Sequence, residues 1–432
     1  MDTLRSYLFV TFEGGGNIPA VLGPVRRLTA RGHTVRVLTE PSVRAEVERA
    51  GARFIPFARH FTRKDRTEEM IGDWEAKSPV GRLRRAFDRV VFGPARIVAE
   101  ETHGAIEAER PDVVVADVMM PGALIAAEAA GIPRVVLFHM PEYLPGTGRP
   151  AAGPGFLPRT DLLGRVRDGV LTRLFLRQLG AYLGHFNEAR TALGLAPLAA
   201  GRDLLDEYHR ADLRLIQTSR EFDFPIVPPP ANVRYVGPVL DDPDWTGEWR
   251  NPWGADDTRP LVVASLSSTF QNQRDVLQRI ITALGTLDIR GLVTLGPCMA
   301  GERFDTPNNV VAVASASHTQ VFPHASAVVT HAGHGTVMRA LANGLPLLCL
   351  PMGRDQDDNA ARVFARGVGL RLRPSAKPRR IADAVRRLLE EPGFAENAER
   401  LGRVIEADQA ADLAVQELEA VGAGRVLQPS AG

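Results

Sequence analysis

Short runs of apolar, largely β-branched residues separated by helix-length text recur along this chain, and they constrain its fold more than any other feature. In the first half such runs occupy 7–12, 34–38, 54–57, 113–116, 134–137, 213–217 and 233–236; in the second they occupy 261–265, 292–295, 310–313, 327–330, 347–350 and 369–372. Strands that are apolar on both faces and joined by helical crossovers are satisfied in parallel sheets covered by helices on both sides, which gives an α/β fold class. At 432 residues the chain exceeds one ordinary core and suits two domains of about 200 residues each. Pro-, Asp- and Gly-rich text at 237–260, carrying Trp245, Trp249 and Trp253, reads as a linker. Its Asp242-Pro-Asp244 pair is expected to be a turn rather than a metal site. Helices at 378–391 and 394–422 are expected to end the chain.

The stretch 326–359, SAVVTHAGHGTVMRALANGLPLLCLPMGRDQDDN, carries most of the chemistry. A strand stops at His331, a turn containing Gly333 and Gly335 follows, and Val337, Met338 and Leu341 fall at helical spacing. The start of such a helix offers unpaired N–H groups and the positive end of a dipole, so the occupant expected there is a phosphate or diphosphate. A second strand then leads to Asp355 and Gln356, and in open α/β sheets ligands sit at those carboxyl ends.

Composition narrows the partners. A net charge of +1 gives no electrostatic case for nucleic acid, and the preponderance of Arg over Lys reflects coding bias rather than a phosphate-binding patch. Cys298 and Cys349 are too few for a disulfide framework. With no run near the ~18 apolar residues of a membrane helix and no leader-like start, no integral membrane segment is expected and the cytoplasm is the expected compartment.

Taken together, His331, Gly333, Gly335, Thr336 and the later Pro351-x-x-x-Asp355-Gln356 resemble the donor-binding signature of the GT-B glycosyltransferases of family 1, in particular the bacterial group acting on antibiotics and macrolide-type natural products. Arg31-Gly-His33, 111–117, Ala129-Ala-Gly-Ile-Pro133 and Val236-Gly-Pro238 extend the resemblance over nearly the whole chain. It implies two Rossmann-like domains facing across a cleft: 1–236 for the acceptor, 261–405 for the nucleotide-sugar donor, and 406–432 crossing back to the first domain. The implied reaction is inverting, metal-independent transfer from a dTDP- or UDP-sugar to a lipophilic acceptor, with no cofactor, by a monomer or homodimer. By resemblance, His331 with the Gly335 and Thr336 amides takes the diphosphate, aided by Ser267 and Ser268, and Asp355 and Gln356 take the sugar.

Three positions depart from the family pattern. The base-stacking Trp of many relatives is Ser315 here, followed by Ser317 and His318; the ribose-binding Glu is Arg339, which favours a deoxyribose donor; and the usual general-base His of the first loop is Gly16. The nucleoside is therefore assigned to Ser317, His318 and Arg339. Asp117, at the carboxyl end of its strand, is the expected base, with Glu13 next. Inserts at 58–79 and 140–159 suggest an apolar acceptor pocket built from Phe61, Trp74, Phe92, Tyr143 and Phe156. Two other functions remain open: an inactive nucleotide-sugar-binding auxiliary protein and a GT-B-like sugar-nucleotide epimerase.

Overall fold

A computed structural model describes residues 4–66, 68–146, 148–199, 204–254 and 256–424; the end of the 406–432 segment, at 425–432, lies outside the described residues. Among the described residues, thirteen strands form two wholly parallel sheets. The first contains β1 (Ser6–Val10), β2 (Thr34–Thr39), β3 (Arg53–Pro56), β4 (Val113–Asp117), β5 (Arg134–Phe138), β6 (Leu213–Ile216) and β7 (Val233–Tyr235), in the order β3-β2-β1-β4-β5-β6-β7. The second contains β8 (Leu261–Ser265), β9 (Arg290–Thr294), β10 (Val310–Val313), β11 (Ala327–Thr330), β12 (Leu347–Cys349) and β13 (Gly369–Arg371), in the order β10-β9-β8-β11-β12-β13. In each sheet the winding direction reverses between adjacent strands, at β1 and β4 and at β8 and β11, where a crevice opens at the carboxyl ends.

The strands are apolar on both faces because both faces are covered. Leu8, Val10, Val114 and Ala116 enter one core layer, and Tyr7, Phe9, Val113 and Val115 enter the layer on the opposite side. The second sheet divides likewise: Val262 and Ala264 on one face, Leu261 and Val263 on the other. Alternation of side chains across the pleat means that a one-residue slip would exchange the two layers.

Where one helix was expected over 394–422, the structure has two, Pro392–Ala410 and Leu413–Gly422. The break is at Asp412, which takes φ 49° and whose carboxylate pairs with Arg27 at 2.7 Å and Arg31 at 2.8 Å. The last helix buries Ala414, Val415, Leu418 and Val421 in the first sheet's core. The chain leaves that sheet at Gly237 (φ 71°), where a Cβ would stand 2.5 Å from the Asp408 carbonyl. No helix among the described residues is long and apolar enough to cross a membrane.

A buried ion pair joins the halves. Asp223, fully buried, accepts from Arg362 at 2.7 and 2.8 Å and from the Tyr235 hydroxyl at 2.7 Å. Asp223→Ala is expected to destabilise the protein by about 3–5 kcal/mol, because it strands the Arg362 charge. Urea denaturation would register this as a lower midpoint, and an unchanged midpoint would contradict it.

Candidate active site

The donor-side turn is shaped by its own histidine. β11 runs into His331, Ala332 takes φ 70°, and Gly333 caps the helix His334–Ala342. A Cβ on Gly333 would come 2.6 Å from His331 Nε2, so glycine is what lets the imidazole fold back over the turn. No side chain caps this helix, which leaves its first N–H groups free beside Gly335 and Thr336 on the cavity wall. Burial, and then the Arg354 charge, outweigh a hydrogen bond with the Ser265 backbone and hold the His331 pKa down at about 3. The ring is therefore a neutral N–H donor. Positive charge comes from Arg354 (φ 57°), which donates to Thr269 Oγ1 at 2.7 Å and pairs with Asp73 at 3.0 Å.

Ser267 and Ser268 follow β8 and line the same cavity; the Ser267 hydroxyl lies 3.1 Å from that of Thr269. Ser268 also meets the first loop: a Cβ on Gly15 (φ 96°) would stand 2.8 Å from its Oγ, so that loop is glycine-rich at a close approach between the halves. Asp355 accepts from Asn359 Nδ2 at 2.7 Å, and burial raises its pKa. Gln356 lines the cavity with its amide engaged, accepting from the Met352 N–H at 2.7 Å and donating to Gln271 at 2.9 Å.

Of the three nucleoside candidates, His318 and Arg339 line the cavity and Ser317 does not. The Ser317 hydroxyl donates to Asp242 at 2.6 Å. His318 lies flat on Phe322, with ring centres 4.3 Å apart. Arg339 donates to the carbonyls of Leu240 and Asp241 at 3.2 and 3.0 Å, so the arginine in place of a ribose acceptor anchors the linker. Asp244 pairs with Arg49 at 2.9 Å. The Asp242 and Asp244 carboxylates are thus linker anchors.

The acceptor-side candidates divide. Tyr143 and Phe156 line the cavity. Phe61 and Phe92 are corrected: they are 0% and 2% exposed and sealed in the core, Phe61 against Phe12 and Phe57, Phe92 against Phe87 and Phe186. Trp74 stands edge-on to Phe270 at 5.2 Å, packing one half on the other away from the cavity wall. The apolar wall instead uses Leu83, Phe87, Met119, Met140, Leu174 and Phe175. Several of these lie on or beside the helices Pro79–Ala86 and Leu162–Gly180, where helical spacing alone looks like core.

Both carboxylates expected to act as base are closed away from the cavity. Glu13, 4% exposed, faces Arg63 and Arg66 at 3.7 and 3.5 Å; burial raises its pKa against their charges. Asp117, 2% exposed, accepts from Thr11 Oγ1 at 2.9 Å, Asn17 Nδ2 at 3.0 Å and the Met119 N–H at 3.0 Å. Burial alone would raise its pKa, but the charge of His139 and these donors bring it below the usual carboxylate range. Such a group accepts a proton poorly.

His139 is the residue the sequence reading passed over. It follows β5 directly, its side chain is 13% exposed on the cavity wall, and its Nδ1 stands 3.4 Å from Asp117 Oδ1, wide for a hydrogen bond but within ion-pair reach. Burial pushes its pKa down, and the charges of Asp117 and, more weakly, Asp355 more than reverse this, raising it above the ordinary imidazole value. The available signal was a histidine at a carboxyl strand end beside the strand of Asp117: β4 and β5 pair Asp117 with Leu137, two residues before His139.

These groups enclose one cavity of about 1280 Å³ between the sheets. That exceeds the ~300–1,000 Å³ of a single small-molecule pocket and leaves room for a donor and an acceptor together. Two segments of the first half that line the cavity are tied to the second half. The N–H groups of Gly153 and Gly155 donate to Asp358 at 2.6 and 2.8 Å and Arg371 donates to the Gly155 carbonyl at 3.0 Å; Arg82 donates to the Met352 carbonyl at 2.8 Å beside the Asp73–Arg354 pair.

Comparison with known proteins identifies the family and the fold. Residues 14–421 match the family model described as UDP-glucoronosyl and UDP-glucosyl transferase. The 4'-demethylrebeccamycin synthase of Lentzea aerocolonigenes is 30% identical over 402 residues, covering 91% of this chain and 94% of that protein. The aclacinomycin-T 2-deoxy-L-fucose transferase of Streptomyces galilaeus is 26% identical over 431 residues, covering 92% and 91%. Among solved structures, the glycotransferase of kitacinnamycin superposes with a TM-score of 0.73 at 23% identity, covering 97% of this chain and 99% of that one. The glycosyltransferase VinC in complex with dTDP gives 0.65 at 21%, covering 97% and 100%. The structures speak for the GT-B fold and the family model for the chemistry: this chain belongs to the UDP-glucoronosyl and UDP-glucosyl transferase family and is a glycosyltransferase.

Proposed function

We propose that the protein transfers a sugar from a nucleoside diphosphate sugar to a lipophilic natural product, with inversion and without a metal ion, using His139 as general base and Asp117 as its positioning residue. The observation that carries this is the juxtaposition of His139, on the wall of the cavity that also holds the His331 turn, with a buried, anionic Asp117 behind it. The acceptor's O–H or N–H proton passes to His139 Nε2 while Nδ1 faces Asp117. The freed pair attacks the anomeric carbon as its bond to the diphosphate oxygen breaks on the opposite side, and the departing charge is taken by the His331 N–H and the amides of Gly335 and Thr336. One displacement inverts the centre. Residues 1–236 bind the acceptor and 261–405 the donor, joined by 237–260, with the helix Leu413–Gly422 returning to the first half.

Arg339, used as a linker anchor, leaves no carboxylate for a ribose 2′-hydroxyl at that position, which supports a deoxyribose donor such as a dTDP-sugar; VinC was solved with dTDP. The relatives' printed activities on rebeccamycin and aclacinomycin compounds, together with the apolar wall, support a natural-product acceptor. Mass spectrometry of products from dTDP- and UDP-sugars with aromatic and polyketide acceptors tests this directly. Absence of both glycoside and released nucleoside diphosphate across the panel would overturn it.

Helix amides, His331 and Arg354 at the donor turn support metal independence. EDTA is expected to leave the initial rate unchanged, and a rate lost to EDTA and restored by magnesium or manganese would contradict this mechanism.

A further inference from the structure

The linker is stitched to the donor half along one edge. Asp242 accepts from Ser317 Oγ at 2.6 Å and the Thr319 N–H at 3.1 Å; the Gly247 N–H donates to Ser315 Oγ at 2.9 Å and its carbonyl accepts from the Ser317 N–H at 2.9 Å; the Trp249 N–H donates to Gln320 Oε1 at 2.8 Å. Arg339 fastens the preceding carbonyls of Leu240 and Asp241. Ser315 therefore lies beside the linker backbone, its hydroxyl spent on the Gly247 N–H while it also lines the cavity.

Inside this seam Pro243, Trp245 and Thr246 line the cavity, as do Ala316 and His318. The three linker tryptophans differ in how their rings are used. Trp249 packs on His324 with centres 5.2 Å apart, and Trp253 lies under the Arg290 guanidinium at 5.9 Å. Trp245 has no aromatic or cationic ring partner among the described residues and is half-buried, its surface shared with the cavity. An indole on a backbone tied down on both sides, lining the cavity without a ring partner, is a stacking platform.

We infer that Trp245 supplies the face on which the donor's nucleobase stacks, so that the linker and not the loop after β10 reads the base. This rests on the proposed nucleoside diphosphate sugar site. It explains why position 315 needs no aromatic ring and why Arg339 is spent on holding the linker: fixing Leu240 and Asp241 fixes Trp245.

The test is binding, independent of any acceptor. The full-length protein is titrated with dTDP, UDP and ribose 5-diphosphate, which lacks the base, by calorimetry and by indole fluorescence. Trp245→Ala and Trp245→Leu are expected to weaken dTDP or UDP binding about tenfold or more, to abolish most of the fluorescence change, and to leave ribose 5-diphosphate binding unaltered; Trp245→Phe restores most of the affinity. Using Leu as well as Ala keeps the side-chain bulk, and circular dichroism confirms folding. Wild-type dTDP affinity in the Leu variant overturns the inference, as does an equal loss for the base-free diphosphate. If the wild-type protein binds none of the three, the donor site itself falls, which distinguishes that failure from the misassignment of Trp245.

Discussion

His139→Ala is expected to lower turnover by about 10²–10⁴-fold while dTDP binding stays within a few fold of wild type. The alanine variant removes the proton acceptor without touching the turn at His331–Gly335, so the loss falls on kcat. The pH profile carries the second half of the prediction. Asp117, with a weaker contribution from Asp355, raises the His139 pKa, while His334, the third titratable group coupled to it, is itself held down at about 4 and stays neutral. Below its pKa His139 is an imidazolium and accepts nothing, so kcat/KM climbs as pH rises through a value above the ordinary ~6.5. Asp117→Asn removes the charge that raises it: the limb moves to lower pH, and the plateau drops because the ring loses its orienting partner. A variant at Asp117 whose limb stays in place would show that the carboxylate does not act through His139, and full activity in His139→Ala would return attention to a self-activated acceptor.

His331→Ala is expected to cost roughly 10²-fold or more in kcat, with a smaller effect on the donor KM. In the proposed mechanism the imidazole faces the turn where the leaving diphosphate gathers charge, and a donor aimed at developing charge contributes more to the transition state than to the ground state. With its pKa near 3 the ring stays neutral throughout the working range, so the pH limb of the alanine variant coincides with that of wild type. This sets it apart from changes at His139. Unchanged kcat in His331→Ala would place the leaving-group contact elsewhere.

The strands and the donor turn were legible because their signals are local. A run such as Val113–Asp117 is buried on both faces wherever its sheet is placed, and the glycines around His331 mark a sharp turn from the sequence alone. The proposed base was not legible, because it depends on register: only the pairing of β4 with β5 brings His139 to Asp117, and residue spacing says nothing about that. The acceptor wall failed for a related reason. Phe61 and Phe87 are equally plausible wall residues in the sequence, and which one reaches the cavity is decided by how the segments after β3 fold over the sheet, closing Phe61 inside and turning Phe87 outward. The linker contacts of Ser317 and Arg339 were not legible either, because their partners lie about 75 to 100 positions away in the chain.

The contacts between the halves divide by strength. Gly153, Gly155, Arg82 and Arg371 each make a partly exposed polar contact, and such contacts are worth about 0–1 kcal/mol apiece. Asp223 and Arg362 are buried, and breaking such a pair costs about 3–5 kcal/mol. Local opening between the halves therefore starts at 82 and 153–155 and leaves Asp223 closed.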